Sequence, residues 1–348
     1  MRALTLSGHG GLEKLEYRDD LPVPELRDDG DVRIRVVTGA LNHLDLFVIR
    51  GLPGITISPG WVLGADAAGV IDVVGAEVQG LAAGDPVVIN PGISCRRCEF
   101  CLEGDQPLCL QYGILGEHLP GTFAEYVVVP ATNVRRFDPA RASWEEAAAF
   151  PLATLTAWRM VVSRARVAQG DEVLIWGIGG GVAQAALQIA RALGARVWVT
   201  SGSDAKLERA RGLGAAETLN HAAVDVAREI RTRTGKRGVD VVIDNVGEQT
   251  WTKSLGALGR SGRLVTCGAT SGPIVQTDVR RLFWNQWTIM GSTMGNDAEF
   301  DAIVAELRAG RLLPPVDSAF PLHEARAAFE RLAAGEQFGK VVLRIGEP

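Results

Sequence analysis

The sequence has no feature of a membrane-spanning or exported protein. It contains no apolar run long enough to cross a bilayer, and its first residues do not join a basic segment to an apolar one as a secretion signal does. We therefore expect a cytoplasmic location. Strong charge of either sign is also missing, because the formal net charge is −5. This balance gives no electrostatic reason to expect a nucleic acid or an anionic membrane as a partner.

Cysteine and lysine are both scarce. The chain has five cysteines, and a disulfide framework would be unusual in a long chain without a secretion signal. Most of its basic charge is arginine, so the position of each lysine is worth noting. The five lysines are Lys14, Lys206, Lys236, Lys253 and Lys340.

Length and composition indicate a globular protein of two domains. At 348 residues the chain is too long for one ordinary core. A hydrophobic content of 47% is typical of folded rather than disordered proteins. The sequence shows neither internal repeats nor a low-complexity segment.

The pattern of secondary structure changes near Pro151. Before it, short β-rich runs separated by Gly and Pro, such as Asp31–Thr38 and Gly69–Val74, predict a folded-over antiparallel unit. After it, strands and helices alternate, which predicts a parallel, doubly wound α/β sheet. The tail returns to other elements, with a closing strand expected at Gly339–Ile345. We place the domain boundaries at residues 1–153, 154–291 and 292–348.

A glycine-rich loop joins a buried strand, Glu172–Trp176, to a helix. Glycines in this context let the backbone approach a pyrophosphate, which then binds the free N–H groups of the helix N-terminus. The fit to G-x-G-x-x-G is imperfect because Val182 takes the third glycine's place, whereas G-x-x-G-x-x-A fits Gly177, Gly180 and Ala183. We predict dinucleotide binding; an ordinary βα turn is the alternative. The candidate residues are Gly177, Gly179, Gly180, Gly181 and Val182.

The end of the second strand of this unit bears on the choice of nicotinamide cofactor. NAD enzymes usually place Asp or Glu there to bind the ribose 2′-OH. Here Ser201 and Ser203 stand at that end, and Lys206 follows. Hydroxyls and an ammonium suit a 2′-phosphate, so NADP(H) is favoured over NAD(H). The alternative is that Lys206 is only a solvated helix residue.

Four cysteines lie within fifteen residues in the spacing C-x2-C-x2-C-x7-C. Four thiolates close a tetrahedral shell around zinc and leave no open position, as structural sites do. A set of free or redox-active thiols is the weaker alternative. We expect one structural zinc ion, held in a lobe at residues 95–109 by Cys95, Cys98, Cys101 and Cys109.

Taken together, these motifs resemble the medium-chain zinc-type alcohol dehydrogenases and quinone oxidoreductases over essentially the whole chain. Further matching runs begin at Gly39, Gly64, Phe123, Pro151 and Gly268. The resemblance implies a GroES-like β domain plus a doubly wound Rossmann domain. It also adds Gly268 to the cofactor-binding residues, and it implies a homodimer or homotetramer that pairs through Val275–Met294.

The resemblance fails at the ligands of the catalytic zinc. In the alcohol dehydrogenases these are a cysteine, a histidine and a second cysteine or an acid. In this chain Asn42 takes the place of the first cysteine, and Ala65 with Asp66 replaces the histidine and the acid after it. The later cysteine aligns with Leu152. A catalytic zinc needs about three protein ligands, so we expect that this ion is absent.

Without a Lewis acid, oxidation of a simple alcohol is hard because nothing lowers the alcohol's pKa. Reduction of a conjugated acceptor is easier because an enolate or quinol oxygen delocalises the charge. We therefore expect NADPH-dependent reduction of a small-molecule quinone or α,β-unsaturated carbonyl compound. Asn42 is the candidate for polarising the acceptor, His43 for shuttling a proton or contacting the pyrophosphate, and Asp45 for orienting its neighbours. Each is also a plausible structural residue.

Two other functions stay open at the level of sequence. One is a zinc-dependent alcohol dehydrogenase whose metal site is rebuilt from His43, Asp45, Asp66 or His118. The other is a protein that binds NADPH without turnover. Some quinone oxidoreductases use a tyrosine shortly after the Asn-x-x-Asp run, but Phe47 occupies that place here, so that proton donor is not carried over.

Overall fold

The structure, a computed structural model, describes residues 1–348 and divides into two compact units. Unit 1 comprises Met1–Leu155 and Gly295–Pro348, and unit 2 comprises Thr156–Met294. The boundaries expected from the sequence, after residues 153 and 291, lie close to these divisions. None of the helices combines the length and the apolar character that crossing a membrane requires.

Unit 1 is built mainly of strands with a few short helices. Its strands are β1 (Ala3–Leu6), β2 (Leu15–Arg18), β3 (Asp31–Ala40), β4 (Trp61–Val62), β5 (Asp66–Val74), β6 (Pro86–Ile89), β7 (Gly92–Ile93), β8 (Gly113–Ile114), β9 (Tyr126–Pro130), β10 (Val134–Arg136), β17 (Val316–Pro321) and β18 (Lys340–Arg344). Its helices are α1 (His43–Arg50), α2 (Glu99–Leu102), α3 (Trp144–Ala149), α10 (Asp297–Arg308) and α11 (Ala325–Ala333), and α4 (Pro151–Trp158) crosses the unit boundary.

The main sheet of unit 1 has the strand order β10-β6-β5-β3-β18-β17, and β9 also pairs with β3. All of these pairs are antiparallel except β17–β18, so the antiparallel unit predicted from the sequence is confirmed. The fully buried Val32, Ile34 and Val36 alternate along β3 and belong to the core of the unit. This is the period-two pattern of a strand with a buried face.

The closing strand β18 lies beside β3 in the middle of this sheet. Ala40 at the end of β3 pairs with Asp66 of β5 on one side and with Val342 of β18 on the other. Gly339 precedes β18 with φ +117, and a Cβ there would come within 2.3 Å of the Pro315 carbonyl oxygen. Because only glycine tolerates this approach, the turn fixes Lys340 as the first residue of the strand.

Unit 2 alternates strands and helices. Its strands are β11 (Glu172–Ile175), β12 (Arg196–Ser201), β13 (Glu217–Asn220), β14 (Val239–Asp244), β15 (Leu258–Thr266) and β16 (Thr288–Gly291). Its helices are α5 (Gly181–Ala192), α6 (Asp204–Gly212), α7 (Val226–Arg233), α8 (Glu248–Ala257) and α9 (Val279–Asn285), preceded by a π-helical turn at Arg159–Arg164.

The sheet of unit 2 is entirely parallel, with the order β13-β12-β11-β14-β15-β16. This is the doubly wound strand order of dinucleotide-binding domains. Successive strands are added on one side of β11 up to β13 and on its other side from β14 onward, so the topological switch point lies between β11 and β14. The α/β fold class predicted from the sequence is confirmed. The segment Val275–Met294 contains both the helix α9 and the strand β16. The Asp278 side chain caps α9 by accepting from the Arg280 N–H (3.0 Å).

Candidate functional site

The cysteine lobe is a loop whose base is closed by a two-stranded ribbon. In this ribbon β7 pairs with β8, with Gly92 opposite Ile114 and Ile93 opposite Gly113. The loop brings all four sulfur atoms within 4.8 Å of one another. Arg96 inside the loop has φ +58, and its guanidinium binds Asp297 of α10 with an N–O distance of 2.6 Å. The expected cluster of cysteines is therefore assembled.

The environment of the sulfurs suits a zinc ion held by thiolates. The N–H groups of Cys95 and Gln111 donate to the Cys109 sulfur at 3.2 and 3.3 Å. Backbone N–H groups, that of Arg97 first, lower the pKa of the Cys95 thiol, whereas burial raises the pKa of the Cys101 thiol. A bound cation supplies the charge that keeps all four sulfurs ionised. Four sulfur ligands leave no open position for substrate, so this site is structural.

The glycine loop of unit 2 fits a pyrophosphate. Gly177 has φ +69, and a Cβ placed there would meet no atom within 4 Å, so open space lies next to the loop. Gly180 is the N-cap of the twelve-residue helix α5, and it has no side chain that could accept from the first N–H groups of the helix. These N–H groups can therefore donate to an anion. Ala183 is buried at 1% exposure, as close packing of the helix on the sheet requires.

Two polar side chains hold this loop, and the sequence analysis did not identify either. Thr200 at the end of β12 accepts from the Gly177 N–H with its hydroxyl oxygen (3.2 Å). The buried Gln184 of α5 donates from its amide to the Ile178 carbonyl (3.1 Å). Their positions in a strand and a helix are ordinary for their residue types, so only the folded contacts reveal them.

The other candidate cofactor residues lie at the carboxyl ends of the strands of unit 2. Ser201 ends β12 and accepts from the Ser203 N–H (3.1 Å), and Ser203 caps α6. Lys206 lies in the first turn of α6 and is partly buried. The Asp204 carboxylate accepts from the Asn220 side-chain amide (2.7 Å). Gly268 follows β15, and a Cβ there would come within 3.2 Å of the Asn245 carbonyl oxygen.

The residues aligned with the ligands of a catalytic zinc meet in the interior of unit 1. Asp66, which is fully buried, accepts from the Asn42 side-chain amide (2.9 Å) and from the Leu152 N–H (2.8 Å). The ammonium of Lys340, 4% exposed, donates to the Asn42 amide oxygen and to Asp66, at 3.2 Å from the latter. A lysine therefore completes this cluster, and the rarity of lysine in the sequence was the signal that could have identified it.

Asp45 and His43 lie in the first turn of α1, next to Asn42. The buried Asp45 carboxylate accepts from the Asn42 N–H (2.7 Å). Burial raises the pKa of Asp45 to about 7, against the effects of this hydrogen bond and of Lys340. The His43 side chain is partly in contact with solvent. Desolvation by the protein around the ring is the largest cause that lowers the pKa of His43, and the positive charges of Lys340 and Arg50 lower it further.

The four residues of the alternative metal site do not form a cluster of ligands. Three or more His, Cys, Asp or Glu side chains come together for a metal ion only at the four cysteines. His118 instead accepts from the Ile114 N–H through Nδ1 (3.3 Å) and lies 3.8 Å from the Glu117 carboxylate.

Replacement of one ligand cysteine tests the structural zinc. We expect Cys101→Ser to reduce the zinc content from one ion per chain to none and to lower the free energy of unfolding by several kcal/mol, because metal binding contributes to folding. Elemental analysis and chemical denaturation measure both. Cys267→Ser, outside the cluster, is the matched control and keeps its zinc. A Cys101→Ser protein that is zinc-free and fully stable would contradict the structural role.

The buried Asp45 carboxylate predicts a pH dependence of stability. Its pKa is raised above the ordinary value of 3.8 to about 7, so the folded state holds the proton more tightly than the unfolded chain. Stability is then lost as pH rises from about 4 to 7. We expect Asp45→Asn to remove about 2 to 3 kcal/mol of the difference in unfolding free energy between pH 5 and pH 8. Urea unfolding at both pH values measures it, with the exposed Asp19→Asn as control. An unchanged pH dependence in Asp45→Asn would refute this assignment.

Comparison with known proteins agrees with this architecture. The alcohol dehydrogenase GroES-like domain matches residues 28–138, and the zinc-binding dehydrogenase family matches residues 181–309. A zinc-type alcohol dehydrogenase-like protein of Schizosaccharomyces pombe is 33% identical over 98% of this chain and 97% of its own length. The quinone oxidoreductase of Homo sapiens is 28% identical over 99% of this chain and 97% of its own.

Among solved structures, the crystal structure of an NAD-dependent alcohol dehydrogenase is 45% identical to this chain. It covers 99% of this chain and 100% of its own, with a TM-score of 0.94. Both domains and their order are thus those of one family. The chain belongs to the medium-chain superfamily of zinc-type alcohol dehydrogenases and quinone oxidoreductases, and it is an NAD(P)-dependent oxidoreductase.

Proposed function

We propose that this enzyme reduces a quinone or an α,β-unsaturated carbonyl compound with NAD(P)H and uses no catalytic zinc. The observation that carries the proposal is the buried cluster of Asn42, Asp66 and Lys340. The positions that align with zinc ligands offer an amide and one carboxylate, and an ammonium already binds both. A divalent cation at this place would be repelled by the ammonium at short range and would lack the three ligands it needs.

The chemistry follows from what the chain has to stabilise. The nicotinamide cofactor, when bound, supplies a hydride to a carbon of the acceptor and is itself oxidised, while the acceptor oxygen takes up a proton. Negative charge therefore develops on that oxygen before the proton arrives. A quinone or enone spreads this charge by conjugation, so it needs less help from the protein than a simple ketone.

The roles expected for Asn42, His43 and Asp45 are part of this proposal. The Asn42 amide donates to Asp66 and, at 3.3 Å, to the Ala40 carbonyl. Asn42 would polarise an acceptor only by exchanging one of these bonds. His43 is exposed, and its lowered pKa keeps it neutral near pH 7, so it can relay a proton. Asp45 orients the Asn42 backbone.

Oxidation of an alcohol with a rebuilt metal site is the second candidate. It is favoured by the 45% identity to a structure named as an NAD-dependent alcohol dehydrogenase. Against it stands the arrangement of its candidate ligands, because no three of His43, Asp45, Asp66 and His118 lie together as zinc ligands do.

The two candidates make opposite predictions for a single set of assays. We expect one zinc ion per chain, oxidation of NADPH by 1,4-benzoquinone or cyclohex-2-enone, and no reduction of NAD(P)⁺ by primary or secondary alcohols. Added zinc or a mild chelator that spares the structural ion should not change the rate. Two zinc ions per chain together with chelator-sensitive alcohol oxidation would establish the second candidate instead.

We also propose that NADP(H) is preferred over NAD(H). The strand β12 ends without an acid, and the Asp204 carboxylate that follows it accepts from the Asn220 amide. Ser201, Ser203 and Lys206 offer the hydroxyls and the positive charge that a 2′-phosphate binds.

A charge reversal tests this preference. We expect Lys206→Glu to weaken NADPH binding by about 10- to 100-fold, through loss of one charged contact, and to change NADH binding little. Dissociation constants from fluorescence titration measure both. Lys236→Glu makes the same change of charge in a turn after α7 and serves as the control. Equal weakening for the two cofactors would remove the 2′-phosphate argument.

The remaining proposals concern assembly and location. Unit 2 exposes four apolar side chains in the segment that precedes the edge strand β16 in the sequence, namely Ile274, Val279, Phe283 and Trp284, the last at 72%. Exposed apolar side chains and an unpaired strand edge both suit pairing with a second copy, as a homodimer or homotetramer. A molar mass of one chain in sedimentation equilibrium would contradict it. The cytoplasmic location stays a prediction, which cell fractionation tests.

A further inference from the structure

A buried carboxylate ends β14, next to the topological switch point of the parallel sheet in unit 2. The side chain is that of Asp244, which is fully buried. Trp176, which follows β11 and precedes Gly177 of the glycine loop, donates from its backbone N–H to the carbonyl of Ile243 (3.3 Å). Asp244 is the next residue of β14, so its carboxylate lies beside the chain that leads into the glycine loop.

Backbone and side-chain donors surround this carboxylate. The N–H groups of Val246 and Gly247 donate to the Asp244 Oδ1 at 2.9 and 3.1 Å. The Thr250 hydroxyl donates to Oδ2 at 2.8 Å. Hydrogen bonds from backbone N–H groups favour the charged form of a carboxyl group, because these groups can only donate.

The remaining donor is held in place by an indole ring. The Ser254 hydroxyl donates to the Asp244 Oδ2 (2.7 Å), and its oxygen accepts from the indole N–H of Trp176 (2.8 Å). An indole N–H is a donor only, so the hydroxyl hydrogen of Ser254 is directed at the carboxylate. Asp244 is therefore held as an ionised carboxylate in the interior of unit 2.

Neutral groups satisfy this charge, and no lysine, arginine or histidine is paired with it. Hydrogen bonds from neutral donors stabilise a charge without cancelling it, so its field extends beyond these neighbours. The thiol of Cys267, the first residue after β15, lies within this field. Burial and, after it, the negative charge of Asp244 raise the pKa of that thiol to about 12. The charge thus acts at the carboxyl ends of both β14 and β15.

This end of the sheet is where the nicotinamide half of a dinucleotide is expected. The adenosine ribose belongs at the end of β12 and the pyrophosphate at the loop after β11, so the nicotinamide half continues over β14 and β15. The nicotinamide ring carries one more positive charge in the oxidised cofactor than in the reduced cofactor. A fixed negative charge here stabilises the oxidised form relative to the reduced one. Its repulsion of the pyrophosphate is the same for both forms and cancels in the comparison.

We propose that Asp244 is a permanent negative charge of the cofactor site, which strengthens binding of the oxidised nicotinamide relative to the reduced one and thereby favours hydride donation to the acceptor. In that step the hydride moves to a carbon of the acceptor, the ring is left with a positive charge, and the acceptor oxygen takes a proton from solvent. The inference goes beyond the proposed function, because it rests on a nicotinamide cofactor and not on the identity of the acceptor.

Two variants remove the charge and retain an acceptor for the turn after β14. Asp244→Asn keeps one oxygen for the two N–H groups, and its amide donates to the hydroxyls, which accept as well as donate. Asp244→Ser is smaller and is the second charge-free variant. Asp240→Asn is the matched control, since Asp240 lies on the same face of β14 near its other end. Ser254→Ala disturbs the same hydrogen bonds but retains the charge. Circular dichroism and thermal unfolding establish which variants are folded.

The quantity measured is the dissociation constant of the reduced cofactor divided by that of the oxidised cofactor. Fluorescence titration gives both constants without an acceptor, and NADPH with NADP⁺ and NADH with NAD⁺ are titrated as separate pairs. We expect the ratio to fall about 5- to 20-fold in the charge-free variants, as for loss of a unit charge at moderate range in an effective dielectric constant of about 20. In Asp240→Asn and Ser254→Ala it should stay within about twofold, because the first charge is distant and screened and the second variant keeps Asp244.

The outcomes separate this inference from the proposed function. Folded charge-free variants that keep the wild-type ratio would overturn the role of Asp244. An equal change of the ratio in Asp240→Asn or Ser254→Ala would also overturn it, because net charge or a disturbed structure would then explain the effect. A wild type that reduces no quinone or enone contradicts the proposed function alone, since the titrations contain no acceptor. A wild type that binds none of the four nucleotides would overturn both.

Discussion

A buried ammonium has to be paired, and in unit 1 Lys340 is paired with Asp66. This ion pair determines the hydrogen-bond partners of the polar groups around it. Asp66 also accepts from the Asn42 amide and the Leu152 N–H. The segments that contain Asn42, Leu152 and Lys340 are thereby all joined to Asp66. By resemblance, Asn42, Asp66 and Leu152 align with the ligands of a catalytic zinc in the alcohol dehydrogenases, and Lys340 binds two of these three residues.

The structural zinc lobe and the buried ion pair illustrate two ways of placing positive charge in one domain. Four thiolates converge within 4.8 Å and satisfy a cation completely, which suits a site that only has to hold the fold. The ammonium donates to the Asn42 amide oxygen and to the Asp66 carboxylate, which satisfies a buried charge that has to be paired. The chain therefore has the cysteine lobe and a buried ion pair in the same unit.

Unit 2 shows how much of a cofactor site is backbone. The parallel sheet brings the ends of β11, β12, β14 and β15 to one edge, where Gly177, Ser201 and Gly268 lie. The glycine loop offers backbone N–H groups and open space, as a pyrophosphate requires, and Thr200 and Gln184 hold its shape. A glycine pattern can be recognised in a sequence because only glycine permits this geometry, whereas the two supporting side chains carry no such restriction.

The sequence by itself determined the two kinds of domain, the glycine loop and the cluster of four cysteines. These features depend on local periodicity, on residues with special backbone freedom, or on spacings short enough to act within one loop. Only the tertiary structure decided that the Asn42 amide is bound on both sides and that Lys340 completes the cluster. Asn42 and Lys340 are 298 residues apart, and their contact exists because β18 inserts next to β3 in the sheet. No local pattern records such a pairing, since it results from the packing of the whole unit.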